Sequence, residues 1–193
     1  EFNQVIGGDG LGAAFSQANT NTVMGSSQGS VIRTNLSNNP PIVFQNWTTR
    51  GSLSDSAGAG FFTSIVPAPG ALDASGRVFF HFTASRVWRT DNGGLNWNLI
   101  GSATGTPSPG LPPSRRFRSN AYNLAVSPQD LNRIALGAAG GFMDVTTDGG
   151  ATWTDINLVD KVPGYVGFVS SVHWQDNQTL WITSSARAAG SVR

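Results

Sequence analysis

The sequence contains no cysteine, one glutamate (Glu1) and one lysine (Lys161) in 193 residues. The first absence excludes disulfides, thiolate metal sites and a thiol nucleophile, without separating a reducing compartment from an oxidising one. The second nearly closes every catalytic scheme that depends on glutamate. Charge is scarce altogether: Lys plus Arg number 12, Asp plus Glu 11, and the formal net charge is +1. Such a balance leaves no basic footprint, and no nucleic-acid partner is expected. No apolar run approaches the ~18 residues of a membrane-spanning helix, so no membrane span is expected. The opening EFNQVIGG has neither a basic n-region nor an apolar h-region, and so does not read as an export signal.

What is abundant is Gly, at 24 residues, together with Ser, Thr and Asn, while only 12% of the chain is charged. That usage fits short strands joined by tight polar turns and disfavours long surface helices. The expected fold class is all-β.

The sequence also repeats itself. In SVIRTN, RVWRTD and FMDVTT the residues Thr34, Thr90 and Thr146 recur at a constant interval of 56. A second register runs through FSQANTNTV (15–23), VSPQDLNRI (126–134) and VHWQDNQTL (172–180), each an apolar residue, seven mainly polar ones and another apolar residue. These read as hairpins sharing one turn length, and VPAPGALDASGRV (66–78) is the same link stretched into a longer surface loop. Each unit reads as strand, turn, strand, Gly-containing turn, strand, Asp/Gly turn, strand, which is a four-stranded antiparallel sheet of propeller-blade size. A β-sandwich also strings short strands together but has no reason to repeat. The units fall at about 8–57, 58–118, 119–163 and an incomplete 164–193. About three and a half blades are therefore expected. A propeller needs more than that to close, so the expectation includes completion by further blades of the same chain or by another subunit.

Residues 146–153, TTDGGATW, and 90–97, TDNGGLNW, are near copies. The first resembles the Asp-box, or bacterial neuraminidase repeat, Ser/Thr-x-Asp-x-Gly-x-Thr-Trp: Thr146, Asp148, Gly150, Thr152 and Trp153 fill every defined position. The second keeps Thr90, Gly94 and Trp97, with Asn92 in place of the Asp and Asn96 in place of the Thr. A short acid can accept hydrogen bonds from its own turn, Gly supplies positive φ, and Trp is expected to pack back over the hairpin. The motif therefore reports on a turn, and the resemblance implies boxes on the rim away from the functional face. The stretch GGDGLGAAFSQANTNTVMGSSQGSVIRTN (7–35) further resembles exported bacterial Asp-box propellers, near the sortilin-type and xyloglucan-hydrolysing ones. That resemblance implies a bacterial extracellular or cell-surface location. It carries fold rather than activity, since such propellers include glycosidases, assembly factors and binders.

Two stretches carry candidate chemistry. GGDGLG (7–12) precedes an inner strand and places Asp9 as a general acid/base, a calcium ligand or a sugar hydrogen-bonder, or as a turn acid that satisfies its own backbone. PPSRRFRSNAYN (112–123) precedes the inner strand of the third unit. Its Arg115, Arg116, Arg118 and Tyr122 suit a carboxylate, phosphate or sugar face, or else a solvated loop or a contact with a neighbouring blade. Asp144, in GFMDVTT, interrupts an apolar strand. His81 and His173 lie singly in different predicted strands, so no metal site and no cofactor are expected.

A sialidase requires a glutamate-assisted tyrosine nucleophile and an Arg-Ile/Leu-Pro motif, which are missing. A glycoside hydrolase using paired aspartates, Asp9 with Asp144, remains the alternative. The favoured expectation is a non-catalytic binding or assembly module for a glycan or an extracellular protein.

Overall fold

The computed structural model describes residues 10–20, 22–27, 31–36, 48–52, 64–103, 111–118 and 121–185, with the backbone alone for 10, 11, 27, 31–36 and 48–52. Asp9 lies outside the described residues. The strands are β1 (Gly10–Phe15), β2 (Thr22–Ser27), β3 (Val31–Leu36), β4 (Thr48–Ser52), β5 (Ser64–Pro67), β6 (Phe79–Phe82), β7 (Arg86–Thr90), β8 (Asn98–Ala103), β9 (Arg116–Phe117), β10 (Ala121–Val126), β11 (Ile134–Ala138), β12 (Phe142–Thr146), β13 (Thr154–Asn157), β14 (Val169–Trp174) and β15 (Leu180–Ser184). They form sheets in the orders β1-β2-β3-β4, β5-β6-β7-β8-β9, β10-β11-β12-β13 and β14-β15. The pairs β1–β2, β2–β3, β3–β4, β5–β6, β6–β7, β10–β11, β11–β12, β12–β13 and β14–β15 are antiparallel, as in the meander of a propeller blade, and β8–β9 is parallel. The sheets are called blades one to four. The chain divides into two compact units, Glu1–Ile100 and Gly101–Arg193.

The sequence did not suggest β9. Arg116 and Phe117 leave the arginine-rich stretch to pair in parallel with Ser102 and Ala103 of β8. Phe117 is almost fully buried there and meets the ring of Trp153 edge-on at 5.7 Å. Burial of one aromatic side chain recruits the segment.

The hairpins joining the first two strands of each blade are fixed by short polar side chains. Ser16 Oγ accepts from the amides of Ala18 (3.2 Å) and Asn19 (3.0 Å), and Ser127 Oγ from that of Gln129 (3.1 Å). In blade four the Asp176 carboxylate accepts from Gln178 and Thr179, both at 2.7 Å. These two amides hold the Asp176 carboxyl below the usual aspartate value. In blade two the longer loop is organised by the buried Asp73, which accepts from the Val78 amide at 2.8 Å and from Ser75 Oγ at 2.6 Å.

One packing rule recurs within each unit. Counting cross-strand pairs from that hairpin turn, the second pair of blade one is Ala14–Met24, and it packs on Ile65 and Phe79, from the third and first pairs of blade two. The second pair of blade three is Ala125–Ala135. It belongs to a cluster with Val172, Ile182, Trp174 and Leu180, the third and first pairs of blade four. Alternation of side chains along a strand makes this possible, one set facing each neighbouring blade. Close approach is visible at Gly137, where a Cβ would stand 2.7 Å from Val169 Cγ1.

His81 is fully buried in blade two, stacked on Trp88 (centroids 5.4 Å apart) and edge-on to Trp97 (6.1 Å). Its Nδ1 lies 3.0 Å from the Ser64 carbonyl. A carbonyl only accepts, so Nδ1 carries the proton and Nε2 is bare in the neutral ring. Burial lowers the His81 pKa from 6.5 to about 4, against the opposing effect of the Ser64 hydrogen bond.

Candidate functional site

Antiparallel meanders place alternate connections at opposite ends of a blade, and the third blade separates two kinds of chemistry this way. At one end lies the β12–β13 turn. Thr146 Oγ1 accepts from the Gly150 amide (2.9 Å) and donates to Asp148 Oδ1 (2.8 Å). Asp148 Oδ1 also accepts from the Thr152 amide (2.8 Å), and Oδ2 from Thr152 Oγ1 (2.6 Å). Gly149 and Gly150 have φ of 70° and 90°, a conformation that side chains resist. Burial acts to raise the Asp148 carboxyl, but hydrogen bonds from the Thr152 hydroxyl and amide, the Thr146 hydroxyl and the Ala151 amide outweigh it and hold it low.

The blade-two copy reproduces the network with an amide side chain. Thr90 Oγ1 accepts from the Gly94 amide (2.9 Å) and donates to Asn92 Oδ1 (3.0 Å), which accepts from the Asn96 amide (2.9 Å). Asn92 supplies one acceptor oxygen where Asp148 supplies two, and Asn96 has no hydroxyl, so the Asp148 Oδ2–Thr152 Oγ1 bond has no equivalent there. Both turns are tied to the end of the first hairpin: Gly93 N donates to Arg77 O (2.9 Å) and Gly149 N to Asn132 O (3.0 Å).

Both tryptophans reach beyond their own hairpins. Trp97 packs on the Ala14, Met24, Ile65 and Phe79 cluster shared by blades one and two. Trp153 lies against Gly101, where a Cβ would come within 2.7 Å of its Nε1, and against Phe117. A large flat side chain is better buried between sheets than spread on one. These turn residues pin blades together.

The opposite end of blade three gathers the start of β10, the start of β12, the end of β13 and the segment 158–168. Here Arg118, just before β10, is the centre. Its amide donates to Asp144 Oδ1 at 3.0 Å, its Nη1 to Asp155 Oδ2 at 2.7 Å, and its guanidinium lies 4.2 Å from the Phe142 ring centroid. Asp144 and Asp155 are direct cross-strand partners on β12 and β13. Two carboxylates so placed repel, and Arg118 engages both, one by its backbone and one by its side chain. The Asp155 bond raises the Arg118 pKa, with Asp144 and Asp160 adding to it. Asp160 itself accepts from Asn157 Nδ2 at 2.6 Å in a single helical turn, Leu158–Lys161. Asp144 is buried to the point that only 1% of it is exposed.

The other arginines are placed differently. Arg116 donates from Nη1 to Ser102 Oγ (3.3 Å) and Ala103 O (3.5 Å), so it serves the β8–β9 pairing. Arg115 ends the 3-10 turn Pro113–Arg115.

Tyr122 occupies a β-bulge. The register of β10 against β11 slips between Ala121 and Asn123, and the same slip occurs between Gly10 and Gly12 and between Val169 and Ser171. The bulged residues Leu11, Tyr122 and Ser170 are therefore equivalent, each near the start of an inner strand, where a bulge re-aims a side chain. Tyr122 is 43% exposed and sits 5.7 Å, centroid to centroid, from Phe168, itself half exposed just before β14. Val159, Val162 and Val166 add exposed apolar surface in the adjoining segment. The two blades are joined beside this pair by Asn123 Nδ2 donating to Val169 O at 2.7 Å.

The sequence singled out Arg118, Tyr122 and Asp144 but missed Asp155, Asp160, Phe142 and Phe168. Asp155 lies between Thr154 and Ile156 in TDIN with nothing local to mark it, and only strand register brings it opposite Asp144. Phe168 precedes the fourth inner strand as Tyr122 opens the third, a parallel visible in the repeat. Among the described residues no group of three or more His, Asp or Glu side chains is arranged to hold a metal ion, and no helix is long and apolar enough to cross a membrane.

No family model matches the chain, and no curated protein matches it. Solved structures do. A chain of the COPII outer coat vertex on membranes superposes with TM-score 0.61 at 13% identity, over 92% of this chain and 44% of that one. An ancestral GH74 enzyme gives 0.53 at 15% identity, over 78% of this chain and 18% of that one. YCF48 from Cyanidioschyzon merolae gives 0.51 at 16% identity, over 85% and 46%. This chain spans less than half the length of each. At such identities the likeness carries architecture alone, and together with the repeated antiparallel four-stranded sheets it makes this chain a set of β-propeller blades, part of a propeller.

Proposed function

We propose that this chain is a non-catalytic binding module of Asp-box type, acting outside a bacterial cell, and that it engages a glycan through the strand-start end of blades three and four. One observation carries the reading: Tyr122 and Phe168 are exposed and paired at that end, while the acids beside them are engaged. A general acid must reach the proton it transfers. Asp144 is buried and holds the Arg118 amide, and Asp155 is ion-paired with the same residue. Paired aromatic rings suit the C–H faces of sugars, and the carboxylates of Asp155 and Asp160 can accept from hydroxyls at the rim. The exposed valines of the 158–168 segment favour a second reading, an extracellular protein partner docking on the same end. The hydrolase reading with paired aspartates requires Asp144 to act on a substrate.

Glycan-array binding followed by calorimetry tests this. Tyr122→Ala and Phe168→Ala should each weaken binding by about tenfold or more, ~1.4 kcal/mol, without shifting the melting temperature. No reducing sugar should be released. Turnover that disappears in Asp144→Asn, a change that preserves the acceptor for the Arg118 amide, would establish the hydrolase instead.

A further inference from the structure

Asn92–Gly93, in the β7–β8 turn, is the sequence's single Asn-Gly pair. Such a pair is chemically fragile, because glycine has no side chain to keep its amide nitrogen from attacking the neighbouring carboxamide. The folded turn holds every group that the attack would use. Gly93 is buried with φ of 69°, and its N–H donates to Arg77 O at 2.9 Å. Asn92 Oδ1 accepts from Thr90 Oγ1 (3.0 Å) and from the Asn96 amide (2.9 Å), so the carboxamide is pinned along the turn. Thr90, fully buried, also accepts from the amides of Gly94 (2.9 Å) and Asn92 (3.3 Å) and so closes both sides of the pair. Two donors on Oδ1 would favour the oxyanion formed by attack, but the nitrogen must first lose a proton that is bonded to Arg77 O and shielded from water.

The equivalent pair of blade three, Asp148–Gly149, shares this lock, Gly149 N donating to Asn132 O at 3.0 Å. It has a second protection as well. Its hydrogen bonds keep the Asp148 carboxyl ionised at neutral pH, and a carboxylate resists nucleophilic attack. The carboxamide of Asn92 has no charged form to shelter in, so its turn alone protects it.

We infer that Asn92 is a modification site, deamidated when the β7–β8 turn opens and preserved while the turn is closed. In the open turn Gly93 N loses its proton and bonds to Asn92 Cγ, the Cγ–Nδ2 bond breaks and ammonia leaves. Solvent water then opens the cyclic imide at either carbonyl. Hydrolysis at Cγ leaves aspartate, which fits, since Asp148 makes the same bonds in blade three. Hydrolysis at the main-chain carbonyl leaves isoaspartate, which routes the main chain through Cβ and Cγ and adds a carbon to a turn whose hydrogen bonds depend on its length. Opening of this turn is thereby recorded covalently. The inference is independent of the glycan reading.

Peptide mapping of the full chain in mildly alkaline buffer tests it. Conversion at Asn92 is read by the mass change from amide to acid and by enzymatic methylation of isoaspartate, with Gly93 amide exchange measured alongside. The native chain should convert at least about tenfold more slowly than the urea-unfolded chain, as a protected turn requires. Urea below the unfolding transition should leave the native rate nearly flat, because a local opening exposes little surface. Thr90→Val should speed Asn92 conversion and Gly93 exchange by the same factor, and Thr90→Ser, which keeps the hydroxyl, should stay close to wild type in both. Equal rates in the native and unfolded chains overturn the inference. So does a native rate that climbs with urea along the slope of global unfolding, which would place the protection in the whole fold rather than in this turn. If Thr90→Val does not fold, these two comparisons on the wild-type chain still decide.

Discussion

Acid should weaken this fold through His81 before it does so through the carboxylates. The folded-state pKa of His81 is depressed from 6.5 to about 4, so between those values the unfolded chain binds a proton that the folded chain refuses. Stability therefore rises with pH across that window and is lost as pH falls through it. Each unit of difference is worth ~1.4 kcal/mol, and two to three units correspond to about 3 kcal/mol. That is a large part of the stability of an ordinary domain. The asparagine variant isolates the effect, because Asn Nδ2 can stand in for His Nδ1 and donate to the Ser64 carbonyl while carrying no titratable group. Urea unfolding followed by tryptophan fluorescence from about pH 7 to about pH 4.5 should show wild-type stability falling steeply and the stability of His81→Asn staying nearly level, whatever its absolute value. A wild-type protein whose unfolding free energy is flat across the window, or an Asn variant with the same slope as wild type, would refute the assignment of His81 as a neutral, buried donor.

Two further substitutions probe the turns and the packing between sheets. Asp148→Asn should cost about 1 kcal/mol, because Asn92 already makes the Thr Oγ1 and backbone-amide bonds in blade two and the losses fall on the exposed Oδ2 side; a two-state urea titration reads it, and a loss of several kcal/mol would contradict the equivalence of the two turns. Gly101→Ala places a methyl group 2.7 Å from Trp153 Nε1 and should destabilise by ~1–3 kcal/mol through overpacking, with a blue or red shift in tryptophan emission marking the displaced ring; unchanged stability would show that Trp153 yields freely.

The blades were legible because they repeat. The interval of 56 between Thr90 and Thr146 marks one position, the first cross-strand row of its blade, but in blade one that row holds Asn35 rather than Thr34. The expected common turn length holds for Phe15–Val23 and Val126–Ile134, whereas the hairpin of blade four closes two residues tighter, at Trp174–Leu180. The described strands run as a meander within each sheet, as the alternation of turns suggested. What one strand cannot show is its neighbour. The parallel addition of β9 follows from a burial site for Phe117 created by Trp153, and the tryptophans of the box turns pack between sheets because a core exists there to receive them. The same reason hides the Arg118 cluster. Asp144 is visible as an acid interrupting an apolar strand, but its partnership with Asp155 depends on β12–β13 register, and its hydrogen bond comes from the backbone of a residue 26 positions earlier. Asp9, the acid that GGDGLG made prominent, lies outside the described residues.

The two ends of blade three differ in how completely they satisfy themselves, and that difference argues for where function sits. At the turn end Thr146, Asp148, Gly150 and Thr152 exchange hydrogen bonds among themselves, and the same set recurs in blade two with an amide in place of the acid. A network that closes on itself gains nothing from a ligand, and one that tolerates Asp or Asn equally has no protonation state to use. At the strand-start end the polar groups are also engaged, through Arg118, but the aromatic surface stays partly open to water: Tyr122 lies at a bulge and is 43% exposed, and Phe168 beside it is half exposed. Covering that exposed aromatic area is worth ~25 cal/mol per Å² of apolar surface. The same bulge recurs in β14, where Ser170 is exposed as Tyr122 is in β10, so the outward aim is shared by two inner strands. The surface that would gain most from a partner is therefore the one the repeat aims outward.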